Sequence, residues 1–400
     1  MDILKAKQDV IDAGKKLVEY GLIARTWGNV SCRISDTQFV ITPSGKPYDG
    51  LTPDDIVVVN IDDYSYEGDI KPSSEKGIHA ECYRLRPNVN FVIHTHQMNA
   101  SIVSALGMDI TGIEGRSKEI VGEDLLMGGY GLPGTKTLRE GVISALTRTT
   151  SNAIIMAHHG ALCLGDSYES AFAVAGEVET ICARFVLKKY KEVTGKTADK
   201  LEAVAKYIGD KFRIGDQAKQ IDKYDSMRDG ETMVMLDKEG NQVGTAEFGV
   251  ALENVEIPKE AALHFAVYNA REDVNYIIHS DLPEVHALSI IGKKVKPLLD
   301  DFAQIAGPTV KCVAYHDKAK TLKKIGKALK RGRNAVIIKD NGALCVGSDK
   351  FNAEATEMVV DKNAKAYMGA LLFDNVAPIN AIESKLMNIV YRLKYSKQAK

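Results

Sequence analysis

The chain carries two copies of one unit, and this constrains its fold more than any other feature. EKGIHAECYRLRPNVNFVIH (75–94) aligns without gaps to EAALHFAVYNAREDVNYIIH (260–279). Glu75, His79, Tyr83, Arg86, Val89, Asn90, Ile93 and His94 recur as Glu260, His264, Tyr268, Arg271, Val274, Asn275, Ile278 and His279, eight identities in twenty. NAIIMAHHGALCLG (152–165) aligns to NAVIIKDNGALCVG (334–347) with eight in fourteen. The offset of 182–185 residues far exceeds the period of a stacked repeat array, so a whole globular unit has been duplicated. A length of 400 residues suits two such domains. We expect them at 1–210 and 218–400, joined through the polar stretch Gly209–Asp222.

In the first copy, apolar spacing predicts a helix over 2–20, paired strands within 28–45, and a strand at 56–62. A helix over 74–86 follows, with Ser73 or Ser74 as N-cap and Pro87 as its stop. Next come the strand that runs into FVIHTH, a helix over 97–106, a glycine-rich loop at 127–138 and a helix over 138–149. A strand at 152–160 and a long helix over 167–193 close the unit. Strands and helices alternate, but the early hairpin favours an antiparallel or mixed sheet. The expected class is α/β in the layered α+β sense, each unit a central, mostly antiparallel sheet flanked by helices. No GxGxxG follows a strand and no GxxxxGK[ST] occurs, which argues against a dinucleotide or P-loop site.

A net charge of −1 argues against nucleic acid or an anionic membrane as the main partner. The basic stretch Lys318–Arg333 reads as a solvated helix face. No apolar run reaches the roughly 18 residues of a membrane span. The N-terminus MDILKAKQDVIDAGKKL is amphipathic and lacks the apolar core of a signal peptide. Cys32, Cys82, Cys163, Cys182, Cys312 and Cys345 show no CxxC, and read as small buried thiols in a reducing cytoplasm.

The chemistry centres on FVIHTHQMNA (91–100). His94 and His96 lie two residues apart at a strand end, where side chains i and i+2 share a face. Two such imidazoles are half of a metal site, because catalytic zinc takes three protein ligands and keeps one position open. The third candidate lies in HHG (158–160), where the glycine lets the backbone turn away and aims an imidazole into a cleft. A regular strand puts His158 and His159 on opposite faces, and periodicity does not choose between them. Glu75, in the first turn of its helix, is either a partner of the helix dipole or a functional acid/base. GNVS (28–31), TPSG (42–45) and Ser73-Ser74 present hydroxyls and backbone amides of the kind that cradle a phosphate dianion.

GNVS (28–31), TPSG (42–45), KPSSE (71–75), HTH (94–96), the Y-x-x-x-GT run (130–135) and HHG followed by ALCLG share the order and spacing of one family. Over residues 1–190 the first copy resembles the class II aldolase/adducin family. The resemblance implies Zn²⁺ bound by His94, His96 and His159, with Glu75 a ligand in the resting site and the carrier of the proton. It implies a phosphate pocket of Gly28, Asn29, Ser44, Gly45, Ser73 and Ser74, and a role for Tyr130 in proton transfer at the aldehyde. The implied reaction is cleavage of a ketose 1-phosphate to dihydroxyacetone phosphate and an aldehyde through an enediolate. The family's ribulose-phosphate 4-epimerases carry aspartate where this chain has Glu75, which favours an aldolase. Dehydratases of the family share the metal site, and adducin-like members are non-catalytic scaffolds. The family's aldolases also borrow a tyrosine from a neighbouring subunit in a homo-oligomer. Tyr190 and Tyr207 are candidates by position only.

Carried across the repeat, His94, His96 and His159 become His279, Asp281 and Asn341. Glu260 is kept, while Pro258 and Lys259 replace Ser73 and Ser74. GNVS and TPSG have no clear counterpart, and RDGETMVMLDKEGNQVGT (228–245) reads as their eroded hairpin. An asparagine amide is a poor zinc ligand, and Lys259 offers an anion only a point charge. We therefore expect a non-catalytic second copy that serves assembly, a dimer of fused pairs standing in for the family's fourfold ring. One zinc per chain follows.

Overall fold

The run Phe91–Thr95 is buried along its whole length, so the sheet it joins must be covered on both faces. A computed structural model describes residues 2–23, 27–213, 218–316, 319–330 and 332–395. Lys318 and Arg331 of the basic stretch, and 214–217 of the expected junction, lie outside them. The chain divides into two compact units, Met1–Lys196 with Leu393–Lys400, and Thr197–Arg392.

The first unit runs α1 (Ile3–Glu19), β1 (Asn29–Arg33), β2 (Gln38–Ile41), β3 (Val57–Asn60), α2 (Lys76–Leu85), β4 (Phe91–Thr95) and α3 (Met98–Leu106). It continues through β5 (Ile110–Thr111), α4 (Gly115–Ile120), β6 (Asp124–Gly128), α5 (Lys136–Arg148), β7 (Ala153–Met156), β8 (Gly160–Gly165) and α6 (Tyr168–Thr194). The strands form one sheet in the order β3-β2-β1-β4-β8-β7-β6-β5, with only β6 and β7 parallel. Phe91 and Ile93 enter a core shared with α1, α3 and α6, while Val92 enters the opposite core with α2 and α5. His94 inherits the Val92 face by strand alternation, the face against which α2 begins.

The second unit runs α7 (Glu202–Phe212), β9 (Asp225–Asp229), β10 (Thr232–Leu236), β11 (Gln242–Glu247), α8 (Ala261–Tyr268), β12 (Tyr276–Ser280) and α9 (Pro283–Ile291). Then come α10 (Asp300–Ile305), β13 (Lys311–Val313), α11 (Ala319–Ala328), β14 (Ala335–Ile338), β15 (Ala343–Gly347), α12 (Lys350–Leu372) and α13 (Ala381–Val390). Its sheet order, β11-β10-β9-β12-β15-β14-β13, repeats that of the first unit without the outermost strand. The two sheets carry the mixed, mostly antiparallel architecture read from the sequence. The stretch 228–245 is indeed hairpin, supplying the end of β9, all of β10 and part of β11.

Four details differ from the sequence reading. The division falls before α7, not at Gly209–Asp222, because the apolar face Val204, Ala205, Ile208 and Gly209 is buried within the second unit, Gly209 lying against Ala287 and Ile290 of α9. The strand expected over 152–160 stops at Met156, turns through Ala157-His158-His159 and returns as β8. The glycine-rich stretch begins inside β6. Glu75 itself takes the N-cap position of α2, and Ser73 Oγ accepts the Glu75 N–H at 3.2 Å. Among the described residues the cysteines form no disulfide, five being buried and Cys312 half-buried. Among the described residues no helix is long and apolar enough to cross a membrane.

Gly160 is required for a reason other than turning. The residue with positive φ is His158, at 59°, whereas a Cβ on Gly160 would lie 2.1 Å from the Thr95 carbonyl oxygen and 3.3 Å from His94 Cε1. Backbone against backbone has no rotamer to relax into. Gly160→Ala is expected to destabilise the first unit by about 3 kcal/mol, from overpacking and lost β4–β8 register. Urea unfolding followed by hydrogen exchange on β4 and β8 measures this, and a loss under 1 kcal/mol would refute the steric account.

Candidate metal centre

Four side chains from three segments converge at the end of β4. His94 is its penultimate residue, His96 lies just beyond it, His159 closes the β7–β8 turn, and Glu75 opens α2. One ligand-capable nitrogen from each of the three histidines lies within 4.8 Å of the other two. The His94 and His159 rings stack with centroids 4.8 Å apart and 2° between planes, and His96 meets both edge-on. His94 and His159 are 1% and 3% exposed, and His96 is half-buried, so the cluster opens on the His96 side. The structure brings His159 to this cluster and leaves His158 outside it. His158 instead sets its ring edge-on to Tyr130, with centroids 5.3 Å apart.

Two contacts orient this cluster. His94 Nδ1 lies 2.9 Å from the Ala161 carbonyl, which can only accept, so Nδ1 carries the proton and the Nε2 lone pair faces inward. Burial pushes the His94 pKa well below the usual imidazole value and favours this neutral ring. His94 Nε2 lies 2.9 Å from His96 Nε2 and 3.4 Å from Glu75 Oε2, while Glu75 Oε1 is 2.9 Å from His159 Nε2. Glu75 is 6% exposed. Burial works against its charge, but the facing His94 and His159 rings, the His159 contact and the Asn29 amide outweigh it and hold the carboxyl well below its usual range. Three clustered imidazoles, with a carboxylate against two of them, form a donor set that fits a borderline divalent cation.

The expected phosphate residues fall in neighbouring loops. Ser44 N–H donates to the Lys71 carbonyl at 2.9 Å, Ser73 N–H to the Thr42 carbonyl at 3.0 Å, and Pro43 bridges to Pro72. Ser44, Gly45, Ser73 and Ser74 are thereby brought side by side. Ser44 and Gly45 are half-buried and Ser74 is exposed. Gly28 has φ 101°, and a Cβ there would lie 2.6 Å from the His94 carbonyl oxygen, so its small size serves the β1–β4 contact. Asn29 turns its amide to Glu75 and to His79 rather than to the loops. Tyr190 is buried and Tyr207 half-buried.

Sequence reasoning missed His79, Ser31 and Tyr83, which lie behind Asn29. A signal existed, since His79 and Tyr83 both recur across the repeat as His264 and Tyr268. It also missed the counterpart of GNVS. Ser226 bonds His264 and Tyr268 as Ser31 bonds His79 and Tyr83, which makes Tyr224-Asp225-Ser226 the match of Asn29-Val30-Ser31.

In the second unit the three inherited positions face other partners. His279 Nε2–H donates to the Asn341 carbonyl at 2.7 Å. Asp281 pairs with His286 at 2.8 Å and Lys223 at 3.4 Å. The Asn341 side chain accepts the Ile221 N–H at 3.0 Å and donates to the Lys219 and Lys339 carbonyls, both at 3.1 Å, clamping the segment before β9.

The class II aldolase and adducin N-terminal domain profile matches residues 8–186 and again 220–368. The chain therefore belongs to this family, and carries its domain twice. A 5-deoxy-D-ribulose 1-phosphate aldolase of Bacillus thuringiensis serovar kurstaki is 31% identical over 209 residues, covering 52% of this chain and 96% of the relative. The L-fuculose phosphate aldolase of Escherichia coli K12 is 33% identical over 186 residues, covering 46% and 85%. A solved L-fuculose 1-phosphate aldolase structure has 29% identity and a TM-score of 0.44, covering 52% of this chain and 97% of its own. Each relative thus spans about half of this chain.

Burial lowers the His79 and His279 pKa values to about 4. Between that value and the usual 6.5 the unfolded chain binds protons that the folded chain refuses, so stability rises with pH across this window. Their contribution is complete above pH 6.5 and is lost as pH falls toward 4, roughly 3 kcal/mol for each ring. Denaturant midpoints of chelator-treated protein from pH 7 to 4 measure this, and a His79→Gln/His279→Gln variant should show a flatter profile. An unchanged slope would refute the assignment.

Proposed function

We propose that the first unit holds Zn²⁺ between His94, His96 and His159 and cleaves a ketose 1-phosphate to dihydroxyacetone phosphate and an aldehyde. The chain is a carbon–carbon lyase of the class II aldolase kind. The observation that carries the reading is the convergence of the three imidazoles, two of them against the buried Glu75 carboxylate, with the His94 lone pair turned inward. The relatives named above as sugar-phosphate aldolases support it.

When bound, the cation supplies Lewis-acid polarisation of the substrate carbonyl and offsets the negative charge developing beside it. Glu75 works at the carbon next to that carbonyl. In condensation it takes the C–H proton; in cleavage it returns a proton to the same carbon as the C–C bond breaks. Asn29 holds one Glu75 oxygen while the other meets His159, so the base is oriented before substrate arrives. Tyr130 handles the proton of the hydroxyl that becomes the aldehyde oxygen. The backbone amides of Gly28 and Gly45 and the hydroxyls of Ser44, Ser73 and Ser74 hold the phosphate, so binding energy remote from the reacting bond orients it. With its amide on Glu75 and His79, Asn29 has only a secondary part in phosphate binding.

The second unit is non-catalytic and serves assembly in a homo-oligomer, a reading supported by the use of Asn341 as a backbone clamp. Cysteines without disulfides suit a reducing cytoplasm.

Elemental analysis is expected to give one zinc per chain. His96→Ala and His159→Ala should lose it and lower kcat/KM by roughly a thousandfold, an effect of the size seen when transition-state charge stabilisation is removed. His279→Ala/Asp281→Ala should keep it. Two equivalents, with one lost in that second variant, would sink the one-site reading. Incubation with dihydroxyacetone phosphate and a panel of aldehydes should yield condensation products. Interconversion or water loss of a pentulose phosphate, with no condensation, would replace aldolase by epimerase or dehydratase.

A further inference from the structure

Five side chains link Tyr83 to Glu75 in one buried file. Tyr83 Oη lies 2.6 Å from Ser31 Oγ, and Ser31 Oγ lies 2.6 Å from His79 Nδ1. His79 Nε2 bonds Asn29 Oδ1, and Asn29 Nδ2 lies 2.9 Å from Glu75 Oε2. The donor of every bond follows from the acceptor end. A carboxylate oxygen accepts, so Asn29 presents its NH₂ to Glu75. Asn29 Oδ1 then faces His79, whose Nε2 must carry the proton. The ring is fully buried and has no carboxylate on it, so Nδ1 is bare and accepts the Ser31 hydroxyl, whose oxygen in turn accepts from Tyr83. All donors point toward Glu75, and such a directed file polarises cooperatively.

The second unit is the internal control. Ser226 Oγ lies 2.7 Å from His264 Nδ1 and 3.0 Å from Tyr268 Oη, so the far end of the file survives. Tyr224 stands at the position of Asn29. Among the described residues the buried atoms His264 Nε2 and Glu260 Oε1 find no hydrogen-bond partner, though Lys259 Nζ lies 3.7 Å from Glu260. The fold therefore tolerates loss of the amide link. What the link adds is a fixed orientation at the carboxylate.

We infer that His79 is a positioning residue for Glu75, acting through Asn29. Its Nε2–H locks the Asn29 amide with the NH₂ toward the carboxylate; without it the amide can turn its oxygen there and repel the base. The inference rests on the aldolase reading for its chemistry, but its geometry is testable alone.

The experiment compares zinc-loaded full-length chain with His79→Leu, His79→Gln and Ser31→Ala variants in condensation of dihydroxyacetone phosphate with an accepted aldehyde. His79→Leu should lower kcat by roughly 10- to 100-fold, the range for residues that orient a metal site from behind. KM for dihydroxyacetone phosphate and zinc content should stay at wild-type values. His79→Gln, whose amide can donate to Asn29 and accept from Ser31, should recover most of the loss. A His79→Leu kcat within twofold of wild type, or equal losses in the Leu and Gln variants, would overturn the proposal. Two-bond ¹H–¹⁵N spectra should show His79 as the Nε2–H tautomer, shifting toward Nδ1–H in Ser31→Ala. An Nδ1–H ring in the wild-type chain would overturn the proposal even if His79→Leu does not fold. If no aldehyde gives product, the aldolase reading fails while the tautomer still decides the orientation.

Discussion

The carbonyl oxygen of Thr95 occupies the place where a side chain at position 160 would be. This contact between the end of β4 and the start of β8 sets the distance between the two strands that carry the histidines. His159 precedes Gly160, and His94 precedes Thr95, so closing the backbones also stacks the two rings. The turn must be equally tight, and His158 takes the left-handed conformation to close it. The second unit obeys the same rule, with Gly342 against the Ser280 carbonyl and Asp340 at φ 61°. The frame of the site is thus a packing solution independent of the side chains it carries.

Because the frame at this position is shared, the two sites differ through their side chains. In the first, a neutral His94 turns its lone pair inward because Ala161 takes the other nitrogen's proton. In the second, His279 spends Nε2–H on the Asn341 backbone. Asn341 stands where His159 stands, but its amide ties down the segment entering β9. Tyr224 replaces Asn29, and the buried carboxylate Glu260 loses the donor that Glu75 keeps. These changes are local and leave the strand order and the Arg–backbone contacts intact, with Arg33 and Arg228 each reaching the carbonyl of the tyrosine behind the site.

Much of this was legible in the chain. Helices α1, α5 and α6 follow from apolar spacing, because each buries one stripe against the sheet, whereas α2 and α3 are buried over seven consecutive residues each. The duplication is visible as identity, and the histidine pair as a period of two. Less legible were the β7–β8 turn and the choice between His158 and His159. Apart from Asn152 and the two histidines NAIIMAHHGALCLG is apolar or glycine, so no alternation marks where the chain reverses. The role of Asn29 was also hidden, since an amide in GNVS looks equally suited to a phosphate or a carboxylate until its neighbours are known.

The sequence by itself determined that a domain is present twice, that each copy layers helices on a mixed sheet, and that only the first keeps three histidines and a Ser-Ser-Glu turn. Local periodicity and residue identity suffice for that. Residue spacing left His158 and His159 open and only the resemblance pointed to His159; the tertiary structure alone decided what holds Glu75 and how the second copy uses the inherited positions. Those depend on contacts between residues 46 to 122 positions apart, such as Asn29 with Glu75 and Asn341 with Lys219, whose partners are chosen by sheet register and turn geometry.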